Sequence, residues 1–205
     1  MANSKVSAKM DPAPSIDAVA VFCGSRAGNN PKYRAAARAL GVGLAGAGIR
    51  LVYGGGRIGL MGALADAALA AGGTVTGIIP EFLIQREVAH ATVTELIVTD
   101  SMHSRKQRMF EAVDAFISMP GGLGTLDETI EIITWRQLGL HAKPILICDV
   151  AGSAQALLAT VAAVIAGGFA TPETRQIYEV WDGVPAVLER LRHLHRAPRG
   201  DVARF

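Results

Sequence analysis

The segment Pro120-Gly121-Gly122-Leu123-Gly124-Thr125-Leu126-Asp127-Glu128 puts glycines, a hydroxyl and two carboxylates in close sequence. Glycine lets backbone N–H groups approach an anion, and a helix starting at such a loop adds about half a positive charge. Thr125 reads as the N-cap of that helix, with Glu128 at the spacing of a capping box. In that reading Glu128 is structural. Its place beside an anion loop supports another reading, in which the carboxylate faces a sugar that becomes cationic as a glycosidic bond breaks. Upstream, Arg105 and Lys106 fall near the first turn of an expected helix, where cations oppose the dipole. An anionic ligand accounts for that placement; so does solvation at the surface.

Two more glycine turns follow short apolar runs: Gly24-Ser25 after Phe22-Cys23, and Gly54-Gly55-Gly56 after Tyr53. Gly54 to Gly59 fits GxGxxG, the dinucleotide fingerprint. The loop follows the second strand rather than the first, however. Glu81, the candidate ribose acid, comes after a proline instead of closing a strand. A mononucleotide phosphate site is the better reading, with tight strand–helix packing as the structural alternative. Three glycine turns at strand ends point to a phosphorylated small molecule. His90, His103 and His141 lack metal-ligand spacing, so no metal and no cofactor is expected. No GxSxG elbow supplies a hydrolase serine.

These residues need a scaffold. β-Branched runs occur at Ala18–Cys23, Ile49–Tyr53, Thr74–Ile79, Glu95–Val98, Ala115–Ser118 and Pro144–Cys148. Helix-compatible segments occur at Pro31–Ala45, Gly59–Ala71, Met102–Val113, Leu126–Leu138, Ser153–Ala166 and Val184–His193. Continuous apolar strands alternating with helices predict an α/β domain, Rossmann-like and doubly wound, with a mostly parallel sheet and helices on both faces. Ligands in such sheets bind at the carboxyl ends of the strands, where strand order reverses. Residues 1–15 and 196–205 read as tails, leaving one catalytic domain over 16–195. From Val150 to Pro172 no side chain is charged. The glycine pair at 167–168 ends that pattern, which reads as a buried helix, with a subunit contact one way of burying it, rather than a membrane span.

Composition agrees with one globular domain. The chain has 205 residues, 50% of them hydrophobic, with 20 basic and 18 acidic side chains for a net charge of +2. That balance argues against a nucleic-acid binder working through bulk charge. Two cysteines, Cys23 and Cys148, lie in apolar runs and read as packed thiols. With no apolar leader visible, the expected compartment is the cytoplasm.

The chain also resembles a known family. The LOG proteins, cytokinin riboside 5'-monophosphate phosphoribohydrolases long labelled possible lysine decarboxylases, carry PGGxGTxxE, matched by Pro120 through Glu128. The likeness extends through Val21–Ser25, Leu51–Gly56, Gly59–Gly62, Met102-His103 with Arg105-Lys106, Ile133–Trp135, Gln137–Gly139, and His141 with Lys143-Pro144. It implies a Rossmann-like homodimer that hydrolyses the N-glycosidic bond of adenine-type nucleoside 5'-monophosphates, cytokinin riboside 5'-monophosphates or AMP. It further implies Glu128 and Arg105 as the catalytic pair, with Glu128 either activating water or attacking C1' itself. Gly121, Gly122, Gly124 and Thr125 become the phosphate and ribose loop, with Gly24, Ser25, Gly54, Gly55, Gly56, Glu87, Lys106 and Thr134 as further substrate contacts. Leu123, Asp127, Ser101 and Arg26 depart from the usual family residues. Two rivals are a nucleotide or molybdenum-cofactor carrier of similar fold and the pyridoxal-dependent decarboxylase of the old label. The latter requires a Schiff-base lysine, and Lys5, Lys9, Lys32, Lys106 and Lys143 show no such context.

Overall fold

The computed structural model describes residues 16–195, so the expected tails at 1–15 and 196–205 lie outside the described residues. Seven strands form one sheet: β1 (Ala18–Phe22), β2 (Arg50–Tyr53), β3 (Val75–Pro80), β4 (Glu95–Thr99), β5 (Ala115–Ser118), β6 (Ile145–Asp149) and β7 (Glu179–Asp182). Their order is β4-β3-β2-β1-β5-β6-β7, and every pairing is parallel. The chain therefore winds outward from β1 to β4, then returns to lay β5 on the other side of β1. Strand order reverses between β1 and β5.

Six helices cover the two faces: α1 (Pro31–Gly46), α2 (Gly59–Ala70), α3 (Met102–Glu111), α4 (Leu123–Gln137), α5 (Gln155–Ala166) and α6 (Gly183–Arg192). The period-2 geometry of β1 feeds both cores at once. Val19 and Val21 join Leu40, Leu44, Leu64 and Val187 under α1, α2 and α6. Ala18, Ala20 and Phe22 face the other way, onto Met109, Phe110, Ile132 and Ile133 of α3 and α4. There the Phe116 ring stacks on Phe22 and Phe110, with centroids 6.0 and 5.8 Å apart.

His141 closes the passage from α4 to β6. Its Nε2 donates to the Ile132 carbonyl and its Nδ1 accepts the Lys143 amide. Burial, opposed in part by the Ile132 bond, pushes this imidazole down to about 4. It is a neutral, structural ring against Phe110 and Phe116.

Three expectations are corrected. The short edge strand β7 lies outside the expected runs, because two of its four residues, Glu179 and Asp182, are charged and none is buried; Arg190 grips its Glu179 at 2.7 and 2.9 Å. Helix α4 starts at Leu123 with Gly122 as N-cap, so Thr125 lies inside the helix and does not cap it. Helix α5 is not buried within this chain: Leu157 is its one buried residue. The helix rides on the sheet's edge side, and its uncharged outer face stays open among the described residues. No helix among them is long and apolar enough to cross a membrane.

Phe116 is fully buried between two aromatic rings, so Phe116→Ala should cost about 3–5 kcal/mol. A lower midpoint in urea unfolding with an unchanged slope is the expected result.

Candidate active site

The carboxyl ends of β1 and β5 are tied together: Met119 N–H donates to Phe22 O at 2.9 Å, and Gly24 N–H to Pro120 O at 3.1 Å. This is the switch point of the sheet, where a doubly wound fold opens a crevice. A cavity of about 740 Å³ lies there. Gly24, Ser25, Gly54, Glu87, Arg105, Gly121, Gly122, Gly124, Thr125 and Glu128 all line it.

The start of α4 supplies donors. Its first helical bond runs from Leu126 N–H to Gly122 O, which leaves the amides of Leu123, Gly124 and Thr125 at the cavity. A chain of buried hydroxyls fixes this end: Ser118 Oγ meets Thr129 Oγ1 at 2.8 Å, and Thr129 donates to Thr125 O at 2.6 Å. The helix is thereby pinned to β5 in a set rotation, which presents Glu128 to the cavity from its second turn.

Arg105 arrives from α3. Its Nη2 stands 3.7 Å from Glu128 Oε1 and 3.5 Å from Gly54 O, while Nη1 lies 3.8 Å from Met102 Sδ. The Nε is buried without a partner among the described residues. A Cβ at position 54 would run into the guanidinium, so glycine there is a condition for Arg105 to reach the site. The side chains of Arg105 and Glu128 are only 6% and 12% exposed. Burial pushes the Glu128 carboxyl up to about 7, against the opposing pull of Arg105 and Lys106. A carboxyl balanced near neutrality can give or take a proton.

Glu87 enters from the irregular segment between β3 and β4. Burial raises its carboxyl as well, with Arg105 working against the shift. One of its oxygens, Oε2, is buried and unpartnered among the described residues. Its loop lies tight on the second glycine turn: a Cβ on Gly56 would sit 2.7 Å from the Met61 methyl and 3.1 Å from Glu87 Cβ.

Four expected site residues lie elsewhere. Gly55 packs on Ile78 and Ile79 of β3, and Gly56 on Met61 and Glu87, behind the cavity wall. Lys106 turns to α4, pairing with Asp127 at 2.8 Å and Glu131 at 3.2 Å. Those carboxylates account for a cation placed against the dipole without any ligand. Thr134 sits on the exposed side of α4, donating to Ile130 O at 2.8 Å. Conversely, Tyr33 and Leu83 line the cavity although nothing in the sequence pointed to them, and Met61, which the sequence offers only as part of the Gly59–Gly62 likeness, lines it too. Cys23 also lines it, but burial drives its thiol pKa strongly upward, so it stays protonated.

A crevice at the switch point, walled by glycine turns and holding a buried carboxylate–arginine pair, defines a doubly wound α/β protein with a small-ligand site. Comparison with known proteins narrows the class. Residues 61–191 match the family model described as "Possible lysine decarboxylase". The cytokinin riboside 5'-monophosphate phosphoribohydrolase of Rhodococcoides fascians is 44% identical over 193 residues, 94% of this chain and 96% of its own length. An enzyme of the same name from Arabidopsis thaliana is 46% identical over 159 residues, 78% of this chain and 75% of its own. The chain belongs to this family, the LOG proteins. Among solved structures, the molybdenum cofactor carrier protein of Chlamydomonas reinhardtii aligns with a TM-score of 0.65 at 19% identity, over 89% of this chain and 98% of that one. The molybdenum cofactor binding protein of Rippkaea orientalis aligns at 0.64 and 21%, over 89% and 97%. At those identities the likeness is one of fold, and it confirms the doubly wound architecture.

The raised Glu128 carboxyl has a consequence for stability. Below about pH 4.5 it is protonated in both the folded and unfolded chain; between there and about 7 the unfolded chain gives up the proton first. Stability that is complete at low pH is therefore lost as pH rises through that window. Glu128→Gln removes the effect. Its melting temperature, relative to the parent protein, should climb by at least about 3 °C from pH 4.5 to pH 8, read by scanning calorimetry.

Proposed function

We propose that this protein hydrolyses the N-glycosidic bond of adenine-type nucleoside 5'-monophosphates, cytokinin riboside 5'-monophosphates and AMP among them, to free base and ribose 5-phosphate. The observation that carries the reading is the Glu128 carboxyl, held out of water 3.7 Å from Arg105 beside a glycine-lined helix start. The named activity of relatives at 44–46% identity supports it.

In this scheme the 5'-phosphate rests on the amides of Gly121–Thr125, with Gly24 and Ser25 opposite, and so holds the sugar in register. The C1'–N bond breaks through an oxocarbenium-like state. Glu128, ionised, stabilises that cation and takes a proton from the water whose oxygen bonds to C1'. The electron pair of the broken bond leaves on the base, which takes up one proton from solvent while Glu128 returns to solvent the proton it took from the water. Arg105 offsets the negative charge that develops on the departing base and orients Glu128. Glu87 contacts the ribose from the other wall. Lys106 steadies α4 through Asp127 and Glu131, and Gly55 and Gly56 shape the second turn. Thr134 reaches a substrate only across a subunit contact.

The lysine decarboxylase label fits the residues poorly. No lysine lines the cavity among the described residues. Lys106 is held by carboxylates, and Lys143 donates to Phe110 O over the Phe110 ring. The carrier alternative rests on fold likeness alone.

Incubation with AMP and, separately, isopentenyladenosine 5'-monophosphate should release free base on chromatography, with the unphosphorylated riboside left intact. Glu128→Gln should lower the rate roughly 10²–10⁴-fold while nucleotide still binds. Because the ionised form works, kcat/KM should fall as pH drops below about 7. Bound nucleotide without any base release would mark a carrier instead.

We also propose a homodimer. The open face of α5, followed directly by Phe169 at 87% exposure, leaves apolar surface that a second copy would cover. Light scattering should give about twice the chain mass of 21.4 kDa.

A further inference from the structure

Glu87 stands on a segment with little regular structure, a single 3₁₀ turn at Glu81–Leu83 followed by turns up to β4. The backbone there is also strained. Val88, a β-branched residue, takes φ = 50°, a left-handed conformation that such side chains rarely adopt. Something must hold it. Arg57 N–H donates to Glu87 O at 3.1 Å and Val88 O at 2.9 Å, and His90 N–H donates to Gly55 O at 2.9 Å. These bonds join two loops, neither of them a rigid element.

Close to Glu87, a connection to a rigid element runs through the His90 side chain; further along, Thr94 Oγ1 accepts from the Val75 amide of β3 at 3.0 Å. This imidazole is fully buried, away from the cavity lining, with Nε2 2.9 Å from Asp66 Oδ1 and Nδ1 3.2 Å from Thr92 Oγ1. Asp66 belongs to α2, the helix that follows the second glycine turn, and its side chain is 56% exposed. A half-exposed carboxylate reaching in to a buried ring is an anchor from helix to loop. It acts three residues from Glu87, whose buried Oε2 has no partner of its own to fix it.

We propose that the Asp66–His90 pair is a latch that holds Glu87 in the nucleotide cavity, so that Asp66 and His90 are positioning residues for substrate. The assignment rests on the nucleotide reading given above. It differs from a plain core histidine in one respect: its effect on ligand passes through Glu87 and through no other group.

A double-mutant cycle separates the two. AMP affinity is measured by calorimetry in the slow Glu128→Gln background, alone and combined with Asp66→Ala, Asp66→Asn, Glu87→Ala and the Asp66→Ala/Glu87→Ala pair, with amide exchange followed over residues 84–93. Asp66→Ala should weaken AMP about tenfold, the low end of what losing an orienting partner costs at metal sites. Asp66→Asn, whose Oδ1 accepts the same bond, should restore most of the affinity. In the Glu87→Ala background Asp66→Ala should add less than twofold, and the amides of Ala89 and His90 should exchange faster whenever Asp66 is Ala. An Asp66→Ala loss that persists undiminished without Glu87, or exchange that stays unchanged, would overturn the latch. If the parent protein neither binds AMP nor releases base, the nucleotide reading fails, and with it the role of the latch in substrate binding. The exchange data then still decide whether the pair holds the loop.

Discussion

Two charges taken out of water at the same place set the terms for the rest of the molecule. The Glu128 carboxylate and the Arg105 guanidinium are both nearly buried, and 3.7 Å apart they offset only part of each other's desolvation. For Glu128 desolvation prevails, which is why its carboxyl rises to about 7. Such a pair holds its geometry only if both backbones are fixed. On one side the Ser118–Thr129–Thr125 hydroxyl chain locks α4 to β5. On the other, a reciprocal cap between Ser101 and Ser104 sets the start of α3, while Gly54 leaves room for the guanidinium. The reversal of strand order at β1 and β5 places these helix starts over one crevice.

Most of the scaffold was legible because its signals are local. Five of the six expected strands are apolar runs buried along nearly their whole length, β4 at the sheet edge being half-exposed, and β5 has the expected bounds, Ala115–Ser118. The misses share a cause: each was decided by tertiary context. β7 carries the charges of an edge strand, and its pairing with β6 is what defines it. α4 begins early because extended Gly122 and the seat of Thr125 over Gly121 let the helix start without a side-chain cap. The uncharged stretch of α5 reads as a buried helix from composition, yet only Leu157 of it is buried within the chain, because composition does not say how much of an apolar helix the rest of the fold covers.

At the site, legibility followed chemistry. Glu128, Arg105 and the glycines at 24, 54, 121, 122 and 124 stood out because a phosphate loop and a cation-stabilising carboxylate need those types at strand ends. Tyr33, Met61 and Leu83 are ordinary apolar residues whose presence at the cavity depends on how distant elements meet. Lys106 looked like an anion contact for the reason Arg105 did, an unfavourable place on the dipole. Only the three-dimensional arrangement shows its partners to be Asp127 and Glu131. His90 was unremarkable in sequence, since its partner Asp66 lies 24 residues away on another element.

Fold alone decides little here. Carrier proteins at 19–21% identity share the architecture, and one doubly wound sheet can host unrelated activities. The weight falls on what the switch point holds. A Glu128 retained only to cap its helix would sit in the first turn, solvated, bonded to a terminal amide. Instead Gly122 is the N-cap, no side chain caps the helix, and Glu128 lies a turn further in, buried and with its ionised form disfavoured. Glu87, which also lines the cavity, likewise carries a raised carboxyl, next to a strained Val88. Folding gains nothing from either arrangement, since an apolar residue or a solvated acid would be more stable at both places. Costs of this kind gather at functional sites, and these two carboxyls line one crevice, each within the electrostatic reach of Arg105.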